Sequence, residues 1–126
     1  MRKFFVVLIL LFYSLLFAES TKAAPFQDPK VPYRLFETSN MWTFIMLDTI
    51  TGKMWLLQYD VQGDNRGGKI LSDKNLASGK EEIVGRFTLY PTSNVWNFIL
   101  IDQYDGSTWQ VQWSWEKQNM FVVPIY

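Results

Sequence analysis

Asp48 and Asp102 stand 54 positions apart in matching surroundings, and two carboxylates facing each other across a cleft are the acid–base chemistry most open to this 126-residue chain. Such a pair, held roughly 5–10 Å apart, would suit glycoside hydrolysis. The chain has no histidine and no cysteine. That removes the commonest general base, the commonest metal ligand, the thiolate nucleophile, disulfides and any Cys-linked haem or lipid. A Ser–Lys pair stays open. Glu81 and Glu82 are adjacent, so in a strand they would face opposite ways and act as solvated charges. Each of the two aspartates precedes a turn whose backbone amides its carboxylate can accept. Turn-building outweighs catalysis on that ground, and the expectation is a non-enzyme with no catalytic residue.

Oxygen-rich residues cluster at Asp60, Gln62, Asp64 and Asn65. A calcium loop of the EF-hand kind needs Gly at its sixth position and Glu at its twelfth. Counted from Asp60, these places hold Asn65 and Leu71. No metal and no cofactor are therefore expected.

The remaining chemistry is aromatic. Asn40-Met41-Trp42 and Asn94-Val95-Trp96 each set an amide beside an indole. That combination can bind a sugar, the amide taking hydroxyls and the ring taking the apolar sugar face. The same residues can instead turn the chain into a strand and anchor a core, and the surrounding apolar run favours the core. Trp113 and Trp115 are the better surface candidates, because the first half of the chain has Tyr59 and Val61 in their place. An exposed aromatic cluster marks an interaction site. With Asp64, Asn65 and Arg66 from a polar loop, they form the expected binding residues. Arg34 and Arg86, which precede the matching blocks with a two-residue difference in spacing, would stack on rings or pair with Asp48 and Asp102 as internal support.

These residues are positioned by an internal repeat. Residues 38–58 recur as 92–112, with 10 of 21 positions identical and no gap. The shared anchors are Asn40, Trp42, Asp48, Gly52 and Trp55, matched by Asn94, Trp96, Asp102, Gly106 and Trp109. Each copy reads as a β-meander. Tyr33 to Glu37 and Arg86 to Tyr90 are first strands; Trp42 to Leu47 and Val95 to Ile101 are apolar, β-branched second strands. Asp48 to Gly52 and Asp102 to Gly106 fit a type I turn closed by a left-handed Gly. Lys53 to Tyr59 and Ser107 to Trp115 are third strands, the latter alternating Trp109, Val111, Trp113 and Trp115 with polar residues. Met54 and Leu56 make the first copy less polar on its second face, so the two copies are expected in different environments. Lys69-Ile70-Leu71 and Phe121 to Ile125 supply fourth strands. The fold class is all-β: two tandem meanders of three or four antiparallel strands, forming one compact sandwich- or barrel-like domain or a pair of propeller-like blades. Repeat one spans 33–71, a Gly-rich loop 60–82 separates the copies and is expected to be mobile, and repeat two spans 85–126.

The first 23 residues belong outside the domain. Arg2 and Lys3 precede an apolar run, Phe4 to Phe17, of about 14 residues. That is short of the roughly 20 needed to span a membrane, and small residues follow it. This is the layout of a secretory signal peptide, with cleavage near Ser20 or Ala23. Residues 24–32, holding Pro25, Pro29 and Pro32, read as an extended lead-in. Cutting after Ala23 removes three of 12 basic residues and one of 12 acidic ones, leaving 9 against 11 and a net charge near −2. That balance predicts neither a nucleic-acid partner nor a polybasic membrane contact.

The block Asp48-Thr49-Ile50-Thr51-Gly52-Lys53-Met54-Trp55 resembles small exported bacterial β-repeat proteins with tandem Asp-Thr-x-Thr-Gly-x-x-Trp units. The second copy departs from it at Gln103 and Asp105. The resemblance covers residues 33–59 and 86–115 and implies a β-repeat module with no assigned activity. The functional expectation is a non-catalytic exported binding module, periplasmic or extracellular. It would engage a protein partner of the bacterial envelope, as an inhibitor or immunity protein would. One alternative is a carbohydrate-binding lectin whose blade-like repeats oligomerise; the other is a hydrolase working with carboxylates alone.

Overall fold

The computed structural model describes residues 31–125. The leader, the signal cleavage sites and most of the lead-in lie outside the described residues. Eight strands follow in order: β1 Tyr33–Glu37, β2 Thr43–Asp48, β3 Met54–Gln58, β4 Gly67–Ser72, β5 Phe87–Pro91, β6 Asn97–Asp102, β7 Thr108–Gln112 and β8 Phe121–Ile125. They form two antiparallel sheets, β1-β2-β3-β4 and β5-β6-β7-β8, in which every strand pairs only with its neighbours in sequence. The protein is all-β, with two meanders that do not close into a barrel.

Local chemistry repeats with the strands. The Asp48 carboxylate accepts the Ile50 and Thr51 amides, and the Asp102 carboxylate accepts those of Tyr104 and Asp105. Gly52 and Gly106 close these turns at φ 81° and 79°, a conformation that favours glycine. The Thr38 hydroxyl ties off the preceding turn by donating to the Asn40 and Thr43 carbonyls, as Thr92 does to those of Asn94 and Asn97. Ring contacts repeat too: Tyr33–Trp55 at 6.4 Å matches Phe87–Trp109 at 6.0 Å, and Trp42–Tyr59 at 5.1 Å matches Trp96–Trp113 at 4.8 Å.

The repeat is gapless from the first strand. Tyr33 opposes Asp48 as Phe87 opposes Asp102, and Gln58 opposes Gly67 as Gln112 opposes Phe121. The 54-residue offset thus covers all four strands. Arg34 corresponds to Thr88, and Arg86 corresponds to Pro32, so the two arginines are not equivalent and the two-residue spacing difference disappears. One irregularity breaks the match: the β3–β4 ladder shifts between Met54 and Trp55, turning Leu71 into the core.

Equivalent faces of the two meanders do opposite things. In unit one, Ile45, Leu47, Met54 and Leu56 are buried, with Phe36 packed against them. Leu35 (47 % exposed), Ile70 (55 %) and the half-buried Met46 and Trp55 form one row on the other face. In unit two the buried set is Phe87, Leu89, Phe98, Leu100 and Val111. These are the counterparts of Tyr33, Leu35, Phe44, Met46 and Leu57, all on the uncovered face of unit one. The sheets therefore stack front to back, like successive blades, and share one hydrophobic cluster between them.

The second half of the linker is anchored to the core. Ala77 is buried and Leu76 packs on the core, donating its amide to the Thr51 carbonyl. Leu76 also lies where a Cβ at Gly52 would come within 3.2 Å. Truncation should distinguish the two faces of unit one. Leu56→Ala is expected to cost about 2–5 kcal/mol and Leu35→Ala well under half of that, read from urea unfolding of the purified chain.

Candidate functional site

The seam between the sheets carries much of the polar side-chain chemistry. Asp102 is fully buried, and one of its carboxylate oxygens accepts Arg86 Nε at 2.8 Å and Lys80 Nζ at 3.1 Å. The other is taken by the turn amides of Tyr104 and Asp105. Lys80 also pairs with Asp105. Arg86 donates to the Glu81 carbonyl and lies over the Tyr104 ring. Burial pushes the Asp102 carboxyl upward, but the Arg86 guanidinium, the Lys80 ammonium and the two turn amides outweigh it and hold it below the ordinary value. The Lys80 ammonium holds Asp105 well below the carboxylate range, and the Asp105 carboxylate in turn raises Lys80. An aspartate whose oxygens are all taken, and whose ionised form is favoured, is a structural anion. The cluster fastens the linker to the second turn.

Asp48, its counterpart, keeps the turn amides but has Pro32 where Arg86 would stand. Thr49 does the joining on this side. Its backbone and hydroxyl both donate to the Pro32 carbonyl at 2.7 Å, its hydroxyl accepts the Gly85 amide, and its carbonyl accepts the Phe87 amide at 2.9 Å. The two repeated aspartates thus serve their own turns.

The tryptophans move the expected site. Trp113 is 1 % exposed and its indole N–H donates to the Val95 carbonyl, so it is not a surface residue. It continues the inward row of β7 and caps the core. Trp115 is half-buried and bridges the sheets: its indole N–H donates to the buried Thr43 hydroxyl, and its carbonyl accepts Lys69 Nζ at 2.7 Å. Trp96, expected in the core, is instead 49 % exposed; β6 begins only at Asn97, and Asn94 Oδ1 accepts the Trp96 amide and holds it outside the strand. Trp42 is half-buried in the matching place. Asp64, Asn65 and Arg66 stay on an exposed loop, where Asn65 donates to Asp60. The Gln62 amide, followed by Asn65, keeps the Asp60 carboxyl below its ordinary value despite some desolvation.

A recess of about 370 Å³ opens beside Trp96, lined by Asn94, Asn97, Gln112, Ser114, Glu116 and Asn119. Trp113 also lines it. Glu116 accepts Asn119 and Gln118 side-chain amides, and Asn97 and Gln112 join Gln110 in an amide chain across β6 and β7. The second copy of the Asn-x-Trp element thus lies in this recess together with residues that the repeat alone did not single out. Of these, Asn97 stands at the register of the buried Thr43; Gln110, at the register of the buried Leu56, adjoins it through the amide chain. Among the described residues, no group of three or more acidic side chains is placed to hold a metal ion.

Removing the buried carboxylate strands a buried guanidinium, so Asp102→Ala should cost about 3–5 kcal/mol in urea unfolding at neutral pH. The acid side has a definite sign. Asp102 and Asp105 have folded values below the ordinary 3.8, so their stabilisation is complete above that value and is lost as pH falls below it. Lys80 lies above 10.5, so its share persists at neutral pH and is lost only on strong alkalinisation. Melting temperatures taken between pH 7 and 2 should fall less steeply for Asp102→Asn than for the parent chain.

No protein-family model, curated protein or solved structure matches this chain.

Proposed function

We propose that the protein is a non-catalytic, exported carbohydrate-binding module, with the recess at Trp96 as its site. The carrying observation is the chemistry of that recess: a half-exposed indole beside the amides of Asn94, Asn97, Gln112 and Asn119 and the Glu116 carboxylate. Sugars offer the complement, hydroxyls for amides and carboxylate, and a C–H face for the ring. The volume suits one to a few sugar units, near the lower end of the range for small-molecule sites, roughly 300–1,000 Å³.

Two observations move the reading away from its rivals. The protein-partner reading relied on an exposed Trp113–Trp115 face, and Trp113 is core while Trp115 is spent on the seam. The carboxylate-hydrolase reading needs two facing acids, and Asp48 and Asp102 instead serve separate turns. Export rests on the sequence layout of the first 23 residues.

Isothermal titration of the purified chain with a panel of neutral and acidic oligosaccharides tests the reading. At least one class should bind, and Trp96→Ala should weaken that binding about tenfold or more while the far-UV spectrum stays unchanged. A panel that gives no heat at millimolar sugar would sink it.

A further inference from the structure

The uncovered face of unit one is, residue for residue, a surface that the fold already covers once. Tyr33, Leu35, Phe44, Met46, Trp55 and Leu57 correspond to Phe87, Leu89, Phe98, Leu100, Trp109 and Val111. In unit two that face is packed under the back of unit one. In unit one it meets no further layer of the described residues, and Tyr33, Leu35 and Ile70 stand about half exposed. A contiguous apolar face of this kind marks a binding surface.

What would cover it is the back of a unit two. That surface is open in this chain, and it corresponds to the back of unit one that already performs the covering. The apolar rows persist: Phe36, Ile45 and Leu47 become Tyr90, Ile99 and Ile101. Tyr90 is 69 % exposed, and Ile99 and Ile101 are half-buried. No charged residue falls on the β5–β7 rows of this back, so no like charges oppose the contact. We infer that a second copy of this chain docks its unit-two back onto the unit-one front, repeating the internal stacking between molecules.

The contact is heterologous, so it either closes into a ring or grows as a filament. Closed propellers typically carry 4–8 blades, which corresponds to about two to four copies here. The new junction differs from the internal one. Trp115 and Lys69, which fasten the internal seam through Thr43 and the Trp115 carbonyl, correspond to Val61 and Val123. The junction between copies lacks those hydrogen bonds, so it should be the weaker of the two. The smaller Val61 would also leave unfilled, beside Asn97, the space that Trp115 occupies beside Thr43. The recess at Trp96 would then gain a wall from the next copy. The inference stands apart from the carbohydrate reading, because assembly is measured without ligand.

The absence of native cysteine makes the test direct. Inside the chain the Phe87 amide donates to the Thr49 carbonyl at 2.9 Å, so these backbones touch. Their counterparts at the new junction are Tyr33 of one copy and Gln103 of the next, which should come within disulfide reach, about 4–7 Å between Cα atoms. Sedimentation of the parent chain should show concentration-dependent assembly beyond the monomer. Oxidation of mixed Tyr33→Cys and Gln103→Cys chains should yield the mixed cross-link. Leu35→Lys, on a half-exposed position, should raise the dissociation constant about tenfold or more with only a small shift in the unfolding midpoint of the monomer. A strict monomer up to high micromolar concentration overturns the inference. So does self-linking of Tyr33→Cys alone, which would mean front-to-front pairing, or assembly that survives Leu35→Lys.

Discussion

Front-to-back stacking of two equivalent meanders is the constraint on which the rest of this molecule depends. A sheet has two faces, and a repeat that packs by rotation rather than by a two-fold axis must present both of them as core. That explains why β2 and β6 are nearly continuous apolar runs instead of the alternating pattern of a half-solvated sheet. It also explains why the same sequence positions are buried in one copy and open in the other. Leu89 and Leu35 are the same residue in the same register, yet the first is core and the second is half exposed.

Differences between the copies concentrate where the stacking begins and ends. At the seam, unit two contributes Trp115, Arg86 and Phe87, and unit one contributes Thr43, Thr49 and Lys69. Each reaches across the seam or supports the linker that does. At the open back of unit two, buried positions of unit one have become amides: the apolar Leu56 is replaced by Gln110, and the hydroxyl of Thr43 by Asn97. The amides satisfy each other along β6 and β7, which lets this face tolerate water while keeping Ile99 and Ile101 for apolar contact. A polar chain laid across a sheet is the same feature that makes the recess beside Trp96 suitable for hydroxyl-rich ligands.

Much of this was legible from the residues, because turn chemistry and periodicity are local. Two strands, Tyr33–Glu37 and Phe121–Ile125, fall where the sequence predicts them; the others shift by one to a few residues at their ends. Asp48 and Asp102 accept their own turn amides as expected, since the amides two and three residues on lie within reach of an aspartate before a Gly-closed turn. What was not legible depends on how sheets face each other. The alternation of Trp109, Val111 and Trp113 was clear, but whether that row pointed to solvent or to a second sheet was not, and Trp113 was assigned to the surface when it lies in the core. The matching of Arg34 to Arg86 failed for a related reason. Side-chain identity suggested a shift that the strand register does not contain, and Arg86 owes its place to a buried carboxylate 16 residues further on.

The strictly sequential pairing of the strands has a kinetic consequence. Each hairpin closes a loop of five to eight residues, so the entropy of loop closure rises little from one step to the next, and the contacts that build each meander are local. As the chain is synthesised from its N-terminus, the first meander has all of its hairpin partners before the second exists. During that interval the back of unit one, with Ile45, Leu47 and Leu56, has no cover of its own. The second meander would then act on the first as an intramolecular chaperone: its front would fold down over the surface left bare, with the Arg86–Asp102 pair and the Trp115 bridge to fasten it there.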